Sequence, residues 1–595
     1  MSQNLFAPVD VAIRSVADGG LVLSNRMPLP AFEETLVDRL ARWGREVPER
    51  IFLSDISDDE AEEDDRREYT YAQVDRLVSA MARRFLRRGI GRDNPPMIIA
   101  QNSVAHAVAM LGAMRAGCAA AIIPPSAVAP GARPFEKFRQ MLAAIRPGVI
   151  LSDAPSLCVS ALGQVGETGI EVEQLGLPEP ETEQVGVDLV QCRADDTGKF
   201  LFTSGSTGVP KAVPQTQRMM VSNMQALGEV WPFLRNVPPV MVDWLPWSHV
   251  FGGNFCFNLA LYFGGSMHID HGNPTPDFIH RTIAALERNS PNVYFNVPVG
   301  YAALSDILEQ RDDLAERFFS QLRFLFNAGA AMPAPLRSQL ERLALRWSTT
   351  CPPVVGAWGA TETAPASTAI YFESSHAGNL GLPLPGTEIR MVPDGDGYEL
   401  RVRGPNVMNG YWRDEEASSL AFDEEGFFRI GDRAKFAVPD KPEAGLVFDG
   451  RLAENFKMLS GTWVNVGDLR LRLVEAGKPL IRDVVLAGEG REALAALVFL
   501  SESACRDYLA QKGAAAGSPE NPSASDEIQS AVAELLRAHN ANNRASSRMI
   551  AFFRIQDEEP SITQNEITEK GYINQRAVLR RRTAEVEAAY AGQPL

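Results

Sequence analysis

"FTSGSTGVPK" occupies residues 202–211, directly after the apolar residues Phe200 and Leu201. Glycines such as Gly205 and Gly208 let successive backbone N–H groups converge on an anion. Thr203, Ser204, Ser206 and Thr207 add rotatable hydroxyl donors, and Lys211 adds a compact positive charge. The stretch is built to hold phosphate. It is not the loop of the P-loop nucleotide triphosphatases, which places Gly directly before its Lys and Ser or Thr directly after. Here Pro210 precedes Lys211 and Ala212 follows, so no hydroxyl is placed to hold magnesium in that manner. A flexible Ser/Gly linker is the alternative. The buried-looking strand leading in and the Pro-Lys leading out argue against it.

The background sharpens the lysine. The chain has nine lysines, so 49 of its 58 basic residues are arginine. A lysine inside a motif is then less readily dismissed as surface filler, and arginine does not replace it where a point charge is needed. The net charge of −17 argues against broad nucleic-acid binding. The acid run "DDEAEEDD" (58–65) reads as a solvated loop. No apolar run matches a membrane helix; the best, near 109–123, is interrupted by Arg115. Six scattered cysteines form neither a metal motif nor a disulfide framework, and "MSQNLFAPVD" lacks a secretory pattern. A reduced, cytoplasmic setting is the expectation. His268 and His271 have no further ligands nearby in sequence, which argues against a zinc site.

Working outward from the loop, short apolar runs recur before turn residues: "GVILSD" (148–153), "VMVDWLP" (240–246), "SMHID" (266–270), "VYFNVP" (293–298), "FLFNAGA" (324–330) and "VVGAWG" (354–359). Helical patterns separate most of them, the arrangement of buried parallel sheets with crossover helices. Residues 9–23 read as a hairpin, Leu36, Leu40 and Trp43 space a helix, and Thr70 with Gln73 fit a capping box. Near 388–448 the runs are short, separated by Gly, Pro and Asp, and look antiparallel. A new unit begins at Gly450–Arg451, with a strand pair, a loose tract (512–527), a helix at 528–539, the strand "MIAFFRI" and a C-terminal helix. The expected fold is α/β: a large N-terminal domain (1–450) of packed mixed and parallel sheets with a small antiparallel barrel-like part, and a small mobile α+β C-terminal domain (451–595).

The motifs, taken together, resemble the adenylate-forming, AMP-binding enzyme superfamily of acyl-CoA ligases, luciferases and peptide-synthetase adenylation domains. "TSGSTGVPK" is followed in order by "LPWSHVFG" (245–252), "NAGAAMP" (327–333), "WGATET" (358–363), "YELRVRGPNVMNGYW" (398–412), "FRIGDRAKF" (428–436) and "GRLAENFKMLSGTWV" (450–464). The start (5–30), the stretch 243–270 and the ending "EITEKGYINQRAVL" (566–579) are similar to the feruloyl-CoA synthetase branch. The resemblance implies ATP, Mg2+ and coenzyme A as co-substrates and cofactor, and a small aromatic acid as partner. It also allows a homodimer.

The resemblance also implies roles. Residues Thr203 to Lys211, including Gly205, Ser206, Thr207 and Gly208, would wrap the β- and γ-phosphates. Glu362 would hold magnesium, with Gly359 and Thr361 in the same segment. Trp358 would pack on adenine, with Gly329 and Ala330 opposite; ordinary core is its alternative. Asp432 would accept from the ribose hydroxyls, or cap a turn after Gly431, and Arg451 would reach ribose or phosphate at the domain junction. His249 would gate the acid carboxylate, or be a satisfied core histidine. Lys570 is the only lysine after Lys512, and takes the role of the adenylating lysine although Gly571 follows it rather than precedes it. A solvated helix-end lysine is the alternative.

At the usual hinge position stands Ala453, so no pivot is named; Lys457 and residues 460–463 would approach coenzyme A. Phe251, Phe255, Phe257, Tyr294, Phe295 and Tyr301 lie in pocket-lining segments, with plain core as the alternative for each. Arg576, Arg580, Arg581 and Arg582 are read as a solvated helix that meets CoA phosphates only as the second choice. The expected activity is an aromatic acyl-CoA ligase. Transfer to a carrier protein and a non-catalytic nucleotide-binding protein are the rivals.

Overall fold

The computed structural model describes residues 5–32, 35–56, 66–129, 135–179, 188–204, 209–329, 331–348, 351–374, 376, 378–452, 454–512, 525–561, 566 and 573–595, with backbone alone at 56, 66 and 204. The chain divides into two compact units. The first comprises Met1–Pro393, Leu400–Ile430 and Phe436–Val447; the second comprises Asp394–Glu399, Gly431–Lys435 and Phe448–Leu595. The fold is mixed α/β in a large unit and a small one.

In the first unit, local signals fix the helices. Thr35 and Thr70 each close a reciprocal capping box, opening the helices Leu36–Glu46 and Tyr71–Arg87. Helix Val104–Arg115 is capped by Ser103 and buries nearly all its side chains, because it is apolar all round and lies between layers. Arg115 at its end is buried too. Its guanidinium donates to the carbonyls of Asp75 and Val37 and to Ser79, and pairs with the Asp75 carboxylate at 2.7 Å.

Four sheets build this unit. The six-stranded sheet runs in the order Pro210–Thr216, Thr197–Ser204, Ala120–Ile123, Pro96–Ile99, Val149–Ser152, Glu171–Gln174. Its pairings are parallel except for the first, the antiparallel hairpin of the phosphate stretch. A four-stranded sheet orders Val240–Asp243, Ser266–Ile269, Ile51–Ile56 and Arg66–Thr70. A three-stranded parallel sheet holds Val293–Asn296, Phe324–Asn327 and Val354–Val355. The hairpin Val11–Ser15/Leu21–Asn25 joins Glu388–Asp394 in a larger, mainly antiparallel sheet that ends at Asn379–Pro383, Ala366–Ala369 and Ala357–Gly359.

The last strand corrects one sequence expectation. "VVGAWG" is not a single strand. Val354–Val355 closes the parallel sheet, and Ala357–Gly359 edges the antiparallel one. The break falls at Gly356, where a Cβ would stand 2.8 Å from the Asn327 carbonyl.

The second unit has a three-stranded sheet. Ile481–Ala487 pairs antiparallel with Leu494–Leu500, which pairs parallel with Ile550–Ile555. Every residue of the central strand is buried, as expected for a strand covered on both faces. The helix expected at 528–539 spans Asp526–Asn542; of the loose tract before it, 513–524 lie outside the described residues. The single C-terminal helix expected from the sequence is two, Gln575–Arg581 and Thr583–Ala591, with a break at Arg582. There the Arg582 side chain turns inward and forms a two-pronged pair with the fully buried Glu566, at 2.8 and 2.9 Å. Among the described residues no helix is long and apolar enough to cross a membrane, and all six cysteines are free thiols.

Candidate active site

The hairpin register sets Lys211 opposite Thr203 and Pro210 opposite Ser204, so the two ends of the phosphate stretch face each other. Gly205, Ser206, Thr207 and Gly208 lie outside the described residues. Lys211 projects over the ring of Tyr411, with Nζ 4.6 Å from its centroid, a cation–π distance. The Tyr411 hydroxyl donates to Glu362 Oε1 at 3.0 Å. One residue thus touches both, its ring lying under the cation and its hydroxyl on the carboxylate. Burial, and then the Glu362 charge, hold the Tyr411 phenol well above its usual range, so it stays a proton donor to Glu362.

The surrounding backbone is stitched to this trio. Trp412 N–H donates to the Ala212 carbonyl at 2.9 Å, and Met408 N–H to the Glu362 carbonyl at 2.9 Å. Glu362 is 8% exposed. It sits in the one-turn helix Thr361–Thr363, entered through Ala360 and left through Ala364 at φ +64°, a conformation non-glycine residues seldom adopt. The Thr363 hydroxyl closes the turn, accepting from Ala360 N–H at 2.8 Å. Gly359 is forced by space: a Cβ there would lie 1.7 Å from the Pro365 carbonyl oxygen. Trp358 is buried in the strand before it, opposite Thr368. Gly329 follows strand Phe324–Asn327 at φ +87° and is exposed; Ala330 lies outside the described residues.

His249 lies in a tight turn after buried Trp247. Its N–H donates to the Pro246 carbonyl at 3.0 Å, and its Nδ1 accepts from Phe251 N–H at 3.4 Å. The turn runs into a π-helical segment, Phe251–Cys256, which the sequence reading did not anticipate. Half-buried Phe251 opens a cluster of rings. Its centroid is 5.6 Å from Phe326 and 6.2 Å from Phe255, and Phe326 is 4.8 Å from Phe295. Three of the six aromatics read as pocket candidates are elsewhere. Phe257 packs on Trp247 at 4.8 Å. Tyr294 packs on Phe318 at 5.1 Å, and Tyr301 donates to the Tyr294 and Phe326 carbonyls. These are core. Phe326 was missed, because an apolar strand residue carries no sequence mark of the cluster it joins.

The remaining candidates belong to the second unit. Asp432 is buried, and Arg451 Nε lies 3.5 Å from its Oδ1. Lys457 pairs with Trp463 across a two-residue hairpin, with Nζ 5.0 Å from the indole; both are exposed. Lys570, like Ala453, lies outside the described residues. Arg582 is a buried structural partner of Glu566, not part of a solvated basic face. His268 and His271 bond to Ser54 and Asp55 respectively, and among the described residues no group of three or more His, Cys, Asp and Glu side chains is placed to hold a metal.

Comparison with known proteins shows the family. Residues 40–412 match the AMP-binding enzyme family, and residues 457–594 match the AMP-binding enzyme C-terminal domain. The chain belongs to the AMP-binding enzyme family. It is similar to a long-chain-fatty-acid–CoA ligase of Escherichia coli O157:H7, 31% identical over 264 residues, which is 40% of this chain and 45% of that protein. The aligned stretch therefore spans less than half of that relative's length. The fold matches the ATP-bound structure of MatB from Rhodopseudomonas palustris, with a TM-score of 0.70 at 20% identity, covering 93% of this chain and 100% of that one. It also matches the anthranilate CoA ligase AuaEII in complex with anthranoyl-AMP, with a TM-score of 0.69 at 18% identity, covering 95% and 99%.

Proposed function

We propose that the protein is an ATP-dependent acid–thiol ligase. It adenylates an aromatic acid of the hydroxycinnamate type, such as ferulate, and transfers the acyl group to coenzyme A, releasing AMP and pyrophosphate. The observation that carries this reading is the Lys211–Tyr411–Glu362 arrangement. It offers a cation for phosphate and a hard oxygen donor for a divalent ion, each in contact with Tyr411. Magnesium bound with nucleotide phosphates keeps several waters and needs only one or two protein carboxylates, so the single, Tyr-held Glu362 fits it. Bound there, the ion would offset charge developing on the departing pyrophosphate.

A carboxylate is a poor electrophile and needs a better leaving group. Its oxygen bonds to the α-phosphorus as the bond to pyrophosphate breaks. The coenzyme A sulfur then bonds to the acyl carbon, and AMP leaves. The protein's share is positioning and electrostatics. In this reading residues 203–211 hold the β- and γ-phosphates, and Trp358 with Gly329 and Ala330 flank the adenine. Asp432 accepts from the ribose hydroxyls with Arg451 beside it, and His249 orients the acid carboxylate. Lys570 carries charge to the carboxylate and α-phosphate, and Lys457 approaches coenzyme A. The aromatic preference is supported by half-buried Phe251, whose apolar ring, backed by buried Phe255 and Phe326, suits a planar phenylpropenoid.

The test is direct. The protein is incubated with ATP, Mg2+ and a panel of hydroxycinnamic, benzoic and fatty acids, with and without coenzyme A, and pyrophosphate and thioester are followed. Ferulate-dependent pyrophosphate and thioester are expected, with Lys570→Ala lower by about 10²–10³. No pyrophosphate with any acid would sink the ligase reading. Pyrophosphate without thioester would favour transfer to a carrier protein, and fatty acids outpacing ferulate would remove the aromatic preference.

A further inference from the structure

Lys199 is wholly buried in strand Thr197–Ser204, four residues before Thr203. An ammonium group in such a place is costly unless it is bonded. Its Nζ donates to the Gly253 carbonyl at 2.7 Å, with Met110 Sδ at 3.7 Å and the Phe257 ring at 6.0 Å. Burial pushes its pKa down to about 7, and that of neighbouring His106 down to about 4. Its register partner in the hairpin is Gln215, also wholly buried. Gln215 Nε2 donates to the Thr361 carbonyl at 2.9 Å, and its Oε1 accepts from Asn254 Nδ2 at 2.7 Å. A single rung of the phosphate hairpin therefore grips two consecutive residues of the π-helical segment, and the residue before Glu362. Gly253 passes the grip on, because its N–H donates to the His249 carbonyl at 2.8 Å. No other residue fits there, since a Cβ would lie 2.3 Å from the Trp247 carbonyl oxygen.

We propose, on the functional reading above, that Lys199 and Gln215 form a positioning rung joining the phosphate hairpin to the acid-binding turn. Lys199 fixes the Gly253 carbonyl and so the placement of His249 and Phe251. Gln215 links the same turn, through Asn254, to the Thr361–Thr363 turn that carries Glu362. Neither touches a reacting atom. A lysine is needed because the link spans from strand to turn, and an apolar side chain cannot donate to the Gly253 carbonyl.

The rung is tested in ATP–pyrophosphate exchange with ferulate, comparing the whole protein with Lys199→Met and Gln215→Leu. Lys199→Met is expected to raise the KM for ferulate about tenfold and leave the KM for ATP within about twofold. Gln215→Leu, which breaks links on both sides, is expected to raise both. A purely structural role would instead lower Tm and kcat and leave both KM values unchanged; that result overturns the proposal, as does failure of both variants to fold. Hydrogen–deuterium exchange over 246–257 gives a readout without turnover. Faster exchange there in Lys199→Met, with the rest of the chain unchanged, supports the anchor; unchanged exchange overturns it. If the unsubstituted protein shows no exchange reaction with any acid, the functional reading fails, while the deuterium result still decides the anchor.

Discussion

At the scale of single residues, Tyr411 joins the two charged groups of the candidate site. Its ring receives Lys211, and its hydroxyl holds Glu362. The sequence marked Lys211 and Glu362 by motif and by the scarcity of lysine, but gave no separate signal for Tyr411 among the other aromatics of "NGYW". Only the hairpin register and the Trp412–Ala212 bond bring that residue to both. Groups that orient a metal-binding carboxylate matter nearly as much as the carboxylate itself. Tyr411→Phe keeps the ring under Lys211 and removes the bond to Glu362. It is expected to lower activity or Mg2+ affinity by about 10–100-fold. Titration of pyrophosphate release against Mg2+ checks this; an unchanged Mg2+ dependence would remove Tyr411 from the site.

At the scale of elements, the helices and most strands were legible because caps and periodicity are local. The cap at Thr70 and the runs at 148–153 and 293–298 needed no tertiary knowledge. The π-helical segment Phe251–Cys256 was not legible. Its geometry depends on Gly252 and Gly253 lying against the carbonyls of Leu245 and Trp247, contacts that no spacing reports. The split of the C-terminal helix was missed for the same kind of reason. Arg582 leaves the helical path because Glu566 is buried beside it. Burial alone would raise the Glu566 carboxyl, but hydrogen bonds from Arg582 and Ser561 N–H win, and hold it below its ordinary value. A carboxyl lowered in the folded state stabilises above its unfolded pKa, and that contribution is lost as pH falls through the folded pKa. Glu566→Gln removes the carboxylate paired directly with buried Arg582, so it is expected to cost about 3–5 kcal/mol at neutral pH. Urea unfolding of both proteins between pH 7 and pH 3 checks it. The gap should narrow as the solution is made acidic, and a gap independent of pH would contradict the pairing.

At the scale of the molecule, two compact units share the proposed chemistry. The first holds the Lys211–Tyr411–Glu362 trio and the aromatic cluster, and the second holds Asp432, Arg451 and Lys457. Ordered motifs across four hundred residues made the family legible, because each motif is a contiguous local stretch. The acid was less legible, because the rings packed around Phe251, such as Phe295 and Phe326, come from strands far apart in sequence. The central claim is that the acid's own oxygen is joined to the α-phosphorus. It is tested most directly with ferulate labelled with 18O in both carboxylate oxygens, incubated with ATP, Mg2+ and coenzyme A, followed by mass spectrometry of the products. The account predicts one 18O atom in AMP, one in the thioester carbonyl and none in pyrophosphate. Label in orthophosphate, or AMP formed without label, would contradict it.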